Sequence, residues 1–248
     1  MNTDAFDFAD EFGPAKVIHV HQPRIGLKAI LVVDNVAAGP AIGGLRMAAD
    51  VSLEECARLA RAMTLKNAAA GLPHGGGKSV VFGDPKMPVE EKERLVRAFA
   101  QAIADVTDYI PGPDMGTDEH AMAWIKDEIG RAVGLPRVLG GIPLDEIGAT
   151  GFGLFAAIDV AKDYVNLDLK GAAVAVQGFG NVGRTAALLF HQAGLRVVGV
   201  SDVSGALYNG QGLDVAPVCS FKDQGVPMAE CPGGDHVTNE ELLLLPVD

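Results

Sequence analysis

The distribution of apolar positions divides the first part of the chain into short strands and amphipathic helices. Apolar-rich runs at 16–21 (KVIHVH) and 28–34 (KAILVVD) predict two strands joined by a turn around Gly26, a hairpin. Residues 53–70 carry Ala, Leu and Met at helical spacing, Ser52 and Glu55 form a capping box before them, and Gly71 stands where a C′ glycine ends a helix. The run SVVF at 79–82 predicts a buried strand. Pro88 then opens a helix whose Leu95, Val96, Phe99 and Ile103 keep helical spacing, and 118–129 repeats that period. Strands alternating with helices predict an α/β layered domain.

Beyond residue 150 the texture changes. A helix over 152–165, a strand at 172–177, a glycine-rich turn, a helix ending at Gly194 and a strand at 196–201 make a βαβ unit. A dinucleotide-binding domain normally holds two such halves and about six parallel strands. Few residues follow 201, and LLLLPVD at 242–248 reads as the start of one more strand, so this second domain is expected to be incomplete. The boundary is expected at 148/149.

Composition narrows the functional classes. With 48% hydrophobic residues in 248, the chain can bury a large core. Lys plus Arg number 20 against 32 Asp plus Glu, a net charge of −12 that disfavours nucleic acid as a partner. The first residues lack a basic start and an apolar stretch, and no run is long and apolar enough to span a membrane, which leads us to expect a cytoplasmic protein with no membrane partner. Cys56, Cys219 and Cys231 form no CxxC pair, so neither a disulfide framework nor a zinc site is expected.

The clearest chemical signal is Gly178-Phe179-Gly180-Asn181-Val182-Gly183, a complete GxGxxG set after a strand and before a helix. Its first glycine suits a tight turn, its second lets backbone approach a pyrophosphate, and its third lets helix and strand pack closely, with phosphate at the helix N-terminus. Asp202 ends the next strand, where an acid accepts hydrogen bonds from ribose hydroxyls and repels a 2′-phosphate. These residues predict NAD as cofactor, with NADP left open. Asp followed by Ser and Gly is also an ordinary turn opener.

MTLKNAAAGLPHGGGKSV, 63–80, invites a phosphate-loop reading, but the required glycine position holds Leu72 and the strand lies on the wrong side of the motif. Read otherwise, Lys66 near a helix end and Lys78 after three glycines can converge on one pocket. One would hold a carboxylate as a point charge; the other, its pKa lowered by burial and a positive neighbour, would serve as acid or base.

Five motifs in one order, GPAIGGLRM (39–47), MTLKNAAAGLPHGGGKSV (63–80), PGPDMGTDEHAM (111–122), GATGFG (148–153) and VQGFGNVG (176–183), make the chain resemble the Glu/Leu/Phe/Val dehydrogenase family from about residue 17 onward. The resemblance implies an α/β substrate-binding and oligomerisation domain over 1–148, a partial Rossmann-type domain over 149–248, and catalysis in a cleft joining them. It further implies a homo-oligomer that reversibly deaminates an L-amino acid to a 2-oxo acid and ammonia. By that resemblance Lys66 binds the substrate α-carboxylate, Lys78 polarises the carbonyl and activates water, and Asp114 exchanges protons with the substrate amine. Gly43 and Gly44 line the pocket, and Thr150 contacts the nicotinamide amide.

Without the motifs, Lys66 reads as a lysine complementing a helix dipole and Asp114 as a turn residue after Pro113. Arg46 and His74 read as loop residues shaping the pocket or the fold, and Met63 and Trp124 as core.

The chain departs from the glutamate members at one position. They carry lysine before GG-x-R, pairing with the substrate side-chain carboxylate; here Ile42 stands there. A carboxylate left unpaired in a pocket is costly, so the expected substrate has a branched or aromatic apolar side chain. PDMGTDEHAMAWI resembles the glutamate members, which keeps glutamate as the alternative. A silent, truncated scaffold that only oligomerises is the other; whether the coding frame continues past Asp248 separates it from a working enzyme.

Overall fold

The structure is a computed structural model and describes residues 5–144 and 147–248. Two compact units form, Met1–Pro143 and Leu144–Asp248, the division falling ahead of Gly148.

In the first unit, β1 (Lys16–Gln22) and β2 (Leu27–Asn35) form the expected antiparallel hairpin. There follow β3 (Ala41–Ala48), α1 (Leu53–Ala69), β4 (Gly75–Phe82), α2 (Val89–Ala102), β5 (Tyr109–Pro113) and α3 (Glu119–Ile129). The sheet order is β1-β2-β4-β3-β5. β4 runs antiparallel to β2 and parallel to β3, which runs parallel to β5.

Both faces of this sheet are covered, which explains the near-continuous apolar run of β2. Leu27, Ala29, Leu31 and Val33 pack with Leu45 and Met47 of β3, Val81 of β4, Leu95, Val96 and Phe99 of α2, and Met122 and Ile125 of α3. Ile30, Val32 and Val80 point the other way, onto Cys56, Ala57 and Ala60 of α1. Trp124 packs against the first cluster, as expected of a core residue, and Met63 is half-buried.

Three local expectations change. β4 begins at Gly75, not 79, because glycine carries no apolar signal; its glycines are buried, Gly76 against Thr64 of α1 and Gly77 against the Tyr109 ring. The GPAIGGLRM motif is a strand, not a loop, so Arg46 is a β3 residue. The Ser52 cap is one-sided: its Oγ accepts from Glu55 N–H at 3.1 Å, while the Glu55 carboxylate turns to Arg46.

The second unit contains α4 (Ala149–Val165), β6 (Ala173–Gln177), α5 (Asn181–Gln192), β7 (Arg196–Asp202), β8 (Gly205–Tyr208), α6 (Val215–Asp223), β9 (Asp235–Val237) and α7 (Asn239–Leu242). Its sheet order is β6-β7-β8-β9. Only β6 and β7 are parallel; β8 and β9 are antiparallel, so the sheet is mixed and not half of a six-stranded parallel one.

The expected strand at 242–248 is absent among the described residues. Thr238 and Glu241 form a complete capping box that starts α7, and Leu242 is buried over Gly199 of β7. Asp248 nevertheless reaches β6, its N–H donating to Ala173 O and its carboxylate accepting from Ala173 N–H at 2.9 Å.

All three cysteines are free and buried. Among the described residues no helix is long and apolar enough to cross a membrane.

Candidate functional site

Strand periodicity assembles the first cluster. Ile42, Gly44 and Arg46 alternate along β3 with the core residues Ala41, Leu45 and Met47, so they share a face. Ile42 stands opposite Gly76 of β4 and Arg46 opposite Val80. Lys78 lies midway between those two and therefore on the same face, the one α1 covers.

Lys78 is 5% exposed. Its ammonium pairs with Oδ2 of Asp114, which follows β5. Arg46 Nε approaches the same oxygen at 3.4 Å, and its Nη1 reaches Glu55 Oε1 at 2.5 Å. Arg46 Nε is buried without a hydrogen-bond partner, its approach to Asp114 being ionic only.

Asp114 is further held by its backbone, which accepts and donates within its own turn. Its N–H donates to Thr117 Oγ1 at 3.1 Å, and its Oδ1 accepts from Met115 N–H at 2.7 Å. Thr117 Oγ1 donates in turn to Leu45 O at 2.7 Å, which ties the turn to β3. A Cβ at Gly44 would come within 2.7 Å of the Asp114 Cβ, so glycine there leaves room for the carboxylate. Gly43 faces away, against the β4 backbone, and its carbonyl accepts from the Tyr109 hydroxyl at 2.8 Å.

Burial alone would raise the Asp114 carboxyl, but the Lys78 hydrogen bond and charge, the Met115 N–H and Arg46 outweigh it and hold the carboxyl below its ordinary value. Because the folded value is depressed, the stability this ionisation contributes is present above the ordinary value of 3.8 and is lost as pH falls through the folded value.

Lys66 is exposed on the last turn of α1, and its ammonium has no hydrogen bond or ion pair among the described residues. That turn is pinned to the start of β4: Asn67 Nδ2 donates to Gly75 O at 2.7 Å. The charge that pairs with Lys78 is the Asp114 carboxylate.

The second cluster lies wholly in the second unit. Gly178 takes φ +90°, the left-handed turn the first glycine of the fingerprint allows. Gly180 caps α5, with nothing within 4 Å of where a Cβ would stand. A Cβ at Gly183 would lie 1.8 Å from Gly178 O, so helix and turn meet at a distance only glycine permits. Phe179 is buried in this unit's core, whereas Asn181 and Val182 are exposed.

A cavity of about 490 Å³ opens on this turn, lined by Gly178, Phe179, Gly180, Asp202, Lys222 and Asn239 among others. A free α5 N-terminus, an open backbone at Gly180 and an adjacent acid fit an adenosine diphosphate moiety. α4 begins earlier than expected, at Ala149, which puts Thr150 in its first turn, around a small pocket with Gly148, Gly151, Asn181 and Val182.

Two family models match the chain: the Glu/Leu/Phe/Val dehydrogenase dimerisation domain over residues 14–131, and Glutamate/Leucine/Phenylalanine/Valine dehydrogenase over 140–248. The chain belongs to the Glu/Leu/Phe/Val dehydrogenase family. It is 44% identical over 231 residues to a glutamate dehydrogenase of Thermotoga maritima, covering 88% of this chain and 55% of that protein. It is 40% identical over 222 residues to the catabolic NAD-specific glutamate dehydrogenase RocG of Bacillus subtilis, covering 84% and 52%. Among solved structures, the Leu-bound hetero-hexameric glutamate dehydrogenase from Thermus thermophilus aligns with a TM-score of 0.82 at 34% identity, covering 94% of this chain and 60% of that one. L-tryptophan dehydrogenase from Nostoc punctiforme aligns at 0.58 and 27% identity, covering 88% and 59%. The chain spans about half the length of the curated relatives it matches.

For this family member, the structure brings together Lys78, Asp114 and Gly44, with Ile42 on the same face. In the other unit it gathers the fingerprint, Asp202 and Thr150. From the sequence Arg46 reads as a loop residue shaping the pocket or the fold, not as a member of the charged cluster; the alternation Ile42, Gly44, Arg46 in AIGGLRM is the signal that could have placed it there. Sequence reading also missed that Asp202 is not free, since Lys222 pairs with it.

The close approach at Gly183 has a direct consequence. Gly183→Ala is expected to cost about 1–3 kcal/mol, the usual range for overpacking, and to weaken 5′-ADP binding; denaturant unfolding and titration calorimetry on the 248-residue chain measure both. An unchanged midpoint with unchanged binding would sink the close-packing account.

Proposed function

We propose that this chain carries the substrate-binding and dinucleotide-binding parts of an NAD(P)-dependent dehydrogenase that oxidatively deaminates an L-amino acid to a 2-oxo acid and ammonia. The observation that carries this reading is the Lys78–Asp114 pair, a buried ammonium on a half-buried carboxylate, with Arg46 and its partner Glu55 beside it. Buried ionisable pairs beside open backbone are suited to proton transfer and to stabilising charge that develops during reaction.

In this reading Lys66 holds the substrate α-carboxylate, and its exposed, unpaired ammonium is available for that contact. Asp114 accepts a proton from the substrate amine, which prepares the Cα–H for oxidation. Lys78, freed from Asp114 by that protonation, orients and polarises the water that attacks the imino carbon. Asp114 gives its proton to the nitrogen and takes one from the water, the C–N bond breaks to release ammonia, and the Lys78 ammonium stabilises the carbonyl oxygen. Arg46 keeps Asp114 ionised and aimed at Lys78. A bound dinucleotide supplies the oxidising equivalent, and the residues that would hold it are Gly178 to Gly183, Asp202 and Thr150.

Glutamate is the substrate the curated relatives support. A second reading, a branched or aromatic amino acid, rests on Ile42, an aliphatic residue on the face that carries Lys78. Assembly of like chains through the first unit is supported by the description of its family model as a dimerisation domain.

The experiment is an assay of the full-length protein with glutamate, leucine, valine and phenylalanine, each with NAD and with NADP. Amino-acid-dependent reduction of either cofactor is the expected outcome; none with all four would overturn the reading. Lys66→Ala should raise KM for the amino acid by about tenfold or more with a smaller change in kcat, since it removes one charge-assisted contact to the substrate. A KM unchanged within error would dissociate Lys66 from the carboxylate.

A further inference from the structure

The acid that closes the nucleotide cavity is already neutralised by its neighbour. Asp202 ends β7 and is 17% exposed at its side chain; Lys222, near the end of α6, is 22% exposed, and its ammonium pairs with Asp202 Oδ2. The opposite oxygen accepts from Ser204 N–H at 2.8 Å and from Ser204 Oγ at 2.5 Å. The Asp202 carbonyl accepts from Asn239 Nδ2 at 2.9 Å. Lys222 also donates to Val226 O at 3.2 Å, which anchors its ammonium at the cavity wall.

Burial would raise the Asp202 carboxyl, but Lys222 and Ser204 override it and bring it to about 2. Asp202 is therefore ionised at any working pH, and its charge is met at contact distance by a cation.

Lys222 is the cation among the residues lining this cavity; Arg184 of α5 is committed to Asp223, at 2.5 and 2.8 Å. A free carboxylate at a strand end accepts ribose hydroxyls and repels a 2′-phosphate. Here the repulsion is offset. An ammonium has three donors, of which Asp202 and Val226 take two, and a phosphate brings nearly two negative charges and three acceptor oxygens.

We propose that Lys222 sets the phosphate preference of this site, bridging Asp202 to a 2′-phosphate so that the cavity accepts 2′-phosphorylated and unphosphorylated adenosine dinucleotides alike. The inference rests on reading the cavity as the dinucleotide site. It replaces the simple expectation that Asp202 selects NAD.

The test is titration calorimetry on the 248-residue chain with adenosine 5′-monophosphate and with adenosine 2′,5′-bisphosphate, which differ only in the 2′-phosphate, followed by NAD and NADP. In the unmodified protein the two nucleotides should bind within about tenfold of each other, because the ammonium compensates the carboxylate. Lys222→Gln should shift their Kd ratio against the 2′-phosphate by at least about tenfold, the size of one lost charge-assisted hydrogen bond. Lys222→Arg, which keeps the charge, should hold the ratio within about threefold, and added salt should flatten the effect. A ratio unmoved by Lys222→Gln, or moved equally by Lys222→Arg, overturns the proposal while leaving the dinucleotide site standing. If neither nucleotide binds the unmodified chain, both the site and the proposal fall.

Discussion

Lys78→Ala in the full-length protein is expected to lower kcat by at least about a thousandfold, because under the proposed function it removes both the group that activates water and the charge that stabilises the developing oxyanion. The dinucleotide cradle of Gly178 to Gly183 lies in the other unit, so 5′-ADP binding should be nearly unchanged. The substitution also strips Asp114 of its nearest cation and leaves a half-buried carboxylate facing only Arg46, which itself costs stability. Lys78→Gln, which keeps a donor and most of the length without the charge, separates the two effects: it should fold and still fail to turn over. Turnover surviving within about tenfold, roughly 1.4 kcal/mol of barrier, would remove Lys78 from the chemistry.

Replacing Ile42 with lysine should raise the ratio of kcat/KM for glutamate over that for leucine by at least about tenfold. Ile42 stands on the face that carries Lys78, opposite Gly76 and half-buried, where it can meet a substrate side chain. Each methylene an aliphatic substrate buries there contributes about 0.8 kcal/mol, whereas a γ-carboxylate loses hydration without gaining a partner. A lysine reverses both terms, pairing with the carboxylate and leaving a charge unpaired beside leucine. Side-by-side kinetics of the two proteins measure the ratio. If it does not move, selectivity is set elsewhere, and a glutamate preference in the unmodified protein would then need another cation.

How far residues are separated along the chain governs what could be read without the fold. The fingerprint is local: a strand, a left-handed turn at Gly178 and a helix starting at Asn181 use only neighbouring residues, and Gly178 and Gly183 each have a steric reason within the motif. The helices α1, α2 and α3 are equally local, because a 3.6-residue period survives in composition alone. Glycine-rich and short strands were not legible. β4 opens with three glycines and β5 reads YIPGP, neither carrying an apolar pattern, and both are strands only because neighbouring strands supply the hydrogen bonds.

The motifs single out Lys78 and Asp114 one by one, but their contact depends on placing β3 between β4 and β5, which no local pattern encodes. The same holds for Arg46, whose alternation with Leu45 and Met47 has meaning only once AIGGLRM is known to be a strand. It holds again for Asp202, whose charge the sequence displays and whose Lys222 partner arrives on α6.

By itself, then, the sequence determined the family, the α/β class and the glycine turn of the nucleotide cradle, because these rest on motifs and periods carried by residues adjacent in the chain. Tertiary structure alone decided which charges meet. The ionic neighbourhoods of Asp114 and Asp202 are made by residues far apart in sequence, and an electrostatic interaction depends on distance and burial in space, neither of which a linear order of residues contains.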